Sequence, residues 1–149
     1  MGAMKRARLS STARRSPVRR GHAERRRNDH SQELAQDYVE MIADLIAKNG
    51  EARLVDLARG LGVTHVTAGQ TLRRLQSRGL VTTLPYRSIF LTSAGRTLAK
   101  ESRERHDLVV RFLTALGVPA SVAESDAEGI EHHVSPETLA AFEKHLRRF

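Results

Sequence analysis

The stretch "ARLVDLARGLGVTHVTAGQTLRRLQSRGLV" (Ala52–Val81) decides the fold. Leu54, Leu57, Ala58 and Leu61 recur at helical spacing, and Gly62 ends that short segment. Thr64 stands where an N-cap belongs, and Ala68, Leu72 and Leu75 carry the apolar face of a second helix to a stop at Gly79. Two short helices joined by a Gly-containing turn form a helix-turn-helix. The following residues, "LVTTLPYRSIFLT", hold two β-prone runs, Leu80–Leu84 and Ser88–Leu91, around a "PYR" turn. A hairpin in that place reads as a wing.

On either side the periodicity is helical. Leu34, Tyr38, Met41 and Leu45 form one stripe, which begins near Ser31 and ends at Asn49 and Gly50. After the hairpin, Thr92 or Ser93 caps a long helix through Leu116, with Leu98, Ser102, His106, Val109, Leu113 and Leu116 along one line. Ala123, Ala127, Ile130 and Val134 mark another helix. "SPETLAAFEKHLRRF" opens the last one with a Ser cap and Pro at its first position, and turns Leu139, Phe142 and Leu146 inward. The expected architecture is mainly α: a winged helix-turn-helix over residues 31–92 and a linker helix with a helical domain over 93–149.

Charge divides the 149-residue chain more sharply than its total of +8 suggests. Residues 1–30 hold ten Lys/Arg against two acids and few large apolar side chains, the composition of a disordered basic tail. Such a tail either solubilises or adds affinity for phosphates. Residues 51–100 carry eight basic and two acidic groups, whereas 31–50 and 101–149 each net −3. A basic middle between acidic segments suggests a polyanion-binding face and a separate site for cations. Without cysteine, thiolate ligands and disulfides are excluded. No apolar run is long enough for a membrane span and no secretory leader is visible, so a cytoplasmic protein is expected.

Outside its apolar stripe, the second helix of the motif displays Thr64, His65, Val66, Thr67, Gln70, Thr71 and Arg74. Short polar, amide and guanidinium groups of this kind reach base edges and phosphates in a major groove. Arg87 stands at the wing tip. An aromatic content of 4% argues against a base-stacking RNA platform.

A second pattern lies in "DAEGIEHHVS" (Asp126–Ser135). Glu128, Glu131 and His132 have the i, i+3, i+4 spacing that places side chains on one helix face. Asp37 and Glu40 repeat the pair in "DYVE", and His106 takes an inward position where leucine is the ordinary choice. Taken singly, "DYVE" reads as a solvated acidic face and His106 as a core histidine. Like charges at i, i+3 repel unless neutralised, and Gly129 inside a helix asks for a reason, such as close approach of another backbone or a metal. Carboxylates with imidazoles suit Mn²⁺ or Fe²⁺, and four negative charges would balance two divalent ions.

These segments, with "FLTSAGRTLAKESRERH", resemble the manganese branch of the diphtheria-toxin-repressor family of metal-dependent transcriptional regulators, over roughly Leu34 to Phe142. The resemblance implies that Asp37, Glu40, His106, Glu128, Glu131 and His132 are metal ligands and that His133 is structural. The iron-sensing relatives use sulfur-bearing residues at the positions of Asp37 and Glu131, which this chain lacks. It further implies repression of metal-uptake genes and a homodimer on palindromic double-stranded DNA. The dimer would form through the Ala123, Ala127, Ile130 and Val134 face, with no SH3-like third domain. The rival readings are an iron-responsive regulator, a winged-helix protein that senses no metal, and a metal-dependent hydrolase.

Overall fold

The computed structural model describes residues 17–84 and 86–148. Six helices and a two-stranded antiparallel sheet run in the order α1 (Pro17–Asn49), α2 (Leu54–Leu61), α3 (His65–Ser77), β1 (Val81–Thr82), β2 (Phe90–Leu91), α4 (Ser93–Ala115), α5 (Ala120–Ile130) and α6 (Pro136–Leu146).

The helix-turn-helix forms as its punctuation dictates. Gly62 takes a left-handed conformation at φ +66°, and the Val63 amide then closes on the Ala58 carbonyl at 3.0 Å. The Thr64 hydroxyl accepts the Thr67 amide at 3.1 Å and starts α3. In the wing, Val81 pairs with Leu91 and Thr82 with Phe90, and an extra bridge joins Ala52 to Ile89. The strands are shorter than the β-prone runs. Thr92 ties the wing to α4: its hydroxyl donates to the Gly79 carbonyl at 2.6 Å and accepts the Gly95 amide at 3.1 Å.

One core fills the N-terminal half. Ala35, Tyr38, Val39 and Ile42 of α1 meet Leu57, Leu72, Leu75, Val81 and Ile89 there, and Ala99 of α4 closes it. From that point α4 runs on past α1 to pack against α5 and α6. Phe112 of α4 stacks on Phe142 of α6 with centroids 3.9 Å apart and rings 6° from parallel.

Several expectations are corrected. Helix α1 begins at Pro17 rather than near Ser31, so residues 17–30 are helical; residues 1–16 of the expected tail lie outside the described residues. Arginine, glutamate and alanine are good helix formers, and the segment extends a helix already nucleated by its packed C-terminal half, so no apolar stripe is required. Leu116 caps α4 and still follows its helical period, yet it is 58% exposed, so the apolar line of α4 is not covered to its end within the protomer. Ala123 and Ala127 are fully buried within the protomer, while Ile130 is exposed. The side of α5 expected to face a partner is therefore partly spent on the chain's own interior. Beyond its own helix backbone and chain neighbours, no heavy atom of the described residues lies within 4 Å of where a Cβ on Gly129 would stand.

Candidate metal centre and nucleic-acid interface

Three elements bring the carboxylates and imidazoles together. Helix α1 carries Asp37 and Glu40, α4 carries His106, and the end of α5 with its following turn carries Glu128, Glu131 and His132. The pivot is Glu131, only 3% exposed. Its Oε2 lies 2.9 Å from His106 Nδ1, and its Oε1 lies 3.3 Å from His132 Nε2. The same His132 Nε2 stands 3.3 Å from Asp37 Oδ1. Glu40 and Glu128 complete the group at Coulomb range of Glu131 and Asp37. All six residues expected from the sequence thus surround one region.

The electrostatics are those of crowded negative charge. Burial pushes the Glu131 carboxyl up to about 7, outweighing the opposing charge of His106, and the repulsion of Glu40 and Glu128 adds to the rise. Asp37 is also raised, first by burial and then by Glu33, Glu40 and Glu128, with His132 opposing. Burial draws His106 down, yet the hydrogen bond to Glu124 and the charges of Glu131, Glu124 and Glu128 outweigh it, so the net shift is upward. Among the described residues, buried Glu131 Oε2 and Glu40 Oε1 have no hydrogen-bond partner; the contact of Glu131 with His106 is close but not aligned for one. Buried polar atoms are ordinarily satisfied, and orphaned carboxylate oxygens, one of them facing an imidazole nitrogen, fit a divalent cation.

Three neighbours of the cluster were not singled out in the sequence. Glu33 joins Asp37 and His132 in a group whose ligand atoms lie within 4.8 Å of one another. Gln36 contacts His132 Nδ1 at 2.7 Å, and Glu124 contacts His106 Nε2 at 2.8 Å. Spacing could have suggested Glu33 and Glu124, each four residues before an expected ligand; Gln36 carried no signal. His133 is exposed, with Nε2 at 3.7 Å from Glu33 Oε2.

The reading head packs on the C-terminal half of α1, against Ala35, Tyr38, Val39 and Ile42. Thr64, His65, Val66, Thr67, Gln70 and Arg74 are exposed on α3, and Arg87 is exposed on the wing, where Tyr86 adopts φ +60°. Thr71 is corrected: it is 6% exposed and faces the core. It stands three residues after Ala68 and four before Leu75, both buried, so the helical period turns it inward. Arg73 and Gln76, not picked out from the sequence, line the groove between α3 and the wing with His65, Arg53 and Arg87.

Comparisons with known proteins identify the family. Residues 31–89 match the family described as "Iron dependent repressor, N-terminal DNA binding domain", and residues 92–149 match "Iron dependent repressor, metal binding and dimerisation domain". The transcriptional regulator MntR of Escherichia coli O6:H1 is 54% identical over 116 residues, 78% of this chain and 75% of that protein. The chain belongs to the iron-dependent repressor family. A further member, the HTH-type transcriptional regulator MntR of Bacillus subtilis, is 36% identical over 100 residues, 67% of this chain and 70% of the relative. A manganese-dependent transcriptional repressor solved in complex with manganese superposes with a TM-score of 0.66 at 32% identity, covering 75% of this chain. The chain spans about half the length of that structure, 52%. Family membership makes it a regulator with DNA-binding and dimerisation domains, not an enzyme, and the hydrolase reading falls. No described helix is long and apolar enough to cross a membrane.

Proposed function

We propose that this protein is a cytoplasmic, manganese-responsive transcriptional repressor of metal-uptake genes that binds a palindromic operator as a homodimer. The observation that carries the reading is the meeting of Asp37 and Glu40, on the helix that supports the DNA-reading head, with His106, Glu128, Glu131 and His132 from the other half of the chain. Its donors are oxygen and imidazole with no sulfur, which favours Mn²⁺, with Fe²⁺ the nearest competitor. The two oxygens of Glu131 each face a different imidazole, so Glu131 with His106 and His132 would hold the metal, and the four carboxylates of the set would balance the charge of two divalent ions.

The chemistry required is electrostatic. A divalent ion bound there supplies positive charge that cancels repulsion among the carboxylates. Asp37 and Glu40 are then held against Glu128, Glu131 and His132, so α1 and the reading head keep one orientation relative to the helical domain. In a dimer this fixes the separation of two α3 helices near the roughly 34 Å of one duplex turn. Holding that geometry before DNA arrives lowers the conformational cost of binding, and the coupling is reciprocal.

Residues 31–92 act as the reading unit and 93–149 as the metal-binding and dimerisation unit, while residues 1–30 add sequence-independent affinity for phosphates. Exposed Leu116, Val122 and Ile130 support a dimer surface on the outer side of α5, in place of Ala123 and Ala127. The deciding experiment measures operator binding against free Mn²⁺, Fe²⁺ and Zn²⁺, with chelator as control. Mn²⁺ should activate most strongly and chelator should abolish binding; binding indifferent to chelator would leave a winged-helix regulator that senses no metal.

A further inference from the structure

Two residues outside the expected ligand set hold its imidazoles from behind. Gln36 Oε1 lies 2.7 Å from His132 Nδ1, and Glu124 Oε2 lies 2.8 Å from His106 Nε2. In each ring the other nitrogen faces the cluster: His132 Nε2 toward Asp37 and Glu131, His106 Nδ1 toward Glu131. An amide oxygen only accepts, so a neutral imidazole meeting it at this distance must carry its proton on the nitrogen that touches it. The lone pair then belongs to the opposite nitrogen. Gln36 is 3% exposed and sits between buried Ala35 and Tyr38 on α1, so packing holds its amide in place.

We propose that Gln36 is a positioning residue that keeps His132 in the Nδ1–H tautomer, so that Nε2 offers its lone pair to a divalent cation, and that Glu124 does the same for His106 from the solvent side. The proposal rests on the reading of both histidines as ligands. Imidazoles that bind metals generally donate their second N–H to an oxygen, and loss of that partner lowers affinity about 10–100-fold. The two partners here differ in chemistry and setting. Gln36 fixes the tautomer without adding another negative charge to a cluster that already holds Asp37, Glu40, Glu128 and Glu131. Glu124 is 62% exposed, where water competes for the imidazole N–H, so its hold is weaker.

The test combines long-range proton–nitrogen NMR of the metal-free chain at mildly alkaline pH with Mn²⁺ titration of variants. His132 is expected as the Nδ1–H tautomer in the wild-type protein. Gln36→Leu should bind Mn²⁺ about 10–100-fold more weakly, and Gln36→Glu, which keeps the acceptor, should restore binding. Glu124→Ala should cost no more than about fivefold. An Nε2–H tautomer in the wild-type spectrum overturns the proposal, as does wild-type Mn²⁺ affinity in a folded Gln36→Leu. If Gln36→Leu does not fold, the wild-type spectrum alone decides. His132→Ala with undiminished Mn²⁺ affinity would instead overturn the ligand reading, an outcome separate from a wrong tautomer.

Discussion

His132 Nε2 lies 3.3 Å from Asp37 Oδ1, and that contact joins the turn after α5 to the helix that carries the DNA-reading head. Asp37 is three residues from Glu40 and one from Tyr38, which anchors α1 in the core of the N-terminal half. Helix α1 packs in turn against α2 and shares one core with α3, so the cluster and the reading head are joined by contiguous packing.

Replacing Glu131 should separate folding from sensing. Glu131→Ala removes the one carboxylate that faces both imidazoles and relieves a buried charge, so the dimer should remain folded while Mn²⁺-dependent operator binding is lost. Sedimentation and a mobility-shift titration check the two halves. Titration of the wild-type protein should also reach two Mn²⁺ per subunit, and a firm plateau at one ion would dispose of the two-ion reading.

The raised Glu131 makes the metal-free protein sensitive to pH. Its folded pKa, about 7, exceeds its ordinary 4.5, so the folded state holds this proton more tightly than the unfolded one. The associated stability is fully present below about 4.5 and is lost as pH rises through about 7. Glu131→Gln, always neutral there, should gain stability relative to the wild type across that window and level off above it. Chemical denaturation of both proteins at stepped pH measures the difference; a flat difference would contradict the shift. Mn²⁺ must displace the same proton, so its affinity should fall about tenfold per pH unit below that pKa.

Helix α3 offers a paired comparison. Exposed Gln70→Ala should lose about 1–3 kcal/mol of discrimination at one operator base pair. Buried Thr71→Val, one position along, should leave operator preference unchanged. Binding to a panel of single-base operator variants distinguishes them, and a changed preference in Thr71→Val would contradict its inward placement.

Gly95 tests how the wing is joined to α4. A Cβ there would collide with the Leu80 carbonyl oxygen, a backbone atom that cannot swing aside. Gly95→Ala should destabilise the fold by about 1–3 kcal/mol, read as a lower urea midpoint. An unchanged midpoint would mean that the wing and α4 are less tightly apposed than described.

Deleting residues 1–30 removes ten Lys/Arg. Each phosphate contact contributes a slope of about −0.9 to the dependence of log affinity on log salt. The truncated protein should bind all duplexes more weakly with a shallower slope, while its operator preference and Mn²⁺ requirement stay the same. An unchanged slope would leave the basic segment as a solubilising element only.

The sequence by itself determined the local architecture. Gly62, Thr64, Gly79 and Thr92 set the helix ends and the start of α4 through backbone conformation and capping, which act within a few residues. Ala68, Leu72 and Leu75 assigned the inward face of α3 by period alone. The same logic found the carboxylates and imidazoles, because i, i+3 and i, i+4 pairs share a face on any helix. It failed where the partner is remote or the pattern is not apolar. The helical extension of α1 over residues 17–30 has no apolar stripe to announce it, and Thr71 is polar by type although its place three residues after Ala68 and four before Leu75 turns it into the core. Only the tertiary structure decided that Ala123 and Ala127 are consumed within the protomer and that Gln36 meets His132, 96 positions away. Periodicity tells which side of a helix is apolar, but which residue lies across from it depends on how separate helices pack, and that information is carried by the whole chain rather than by any one segment.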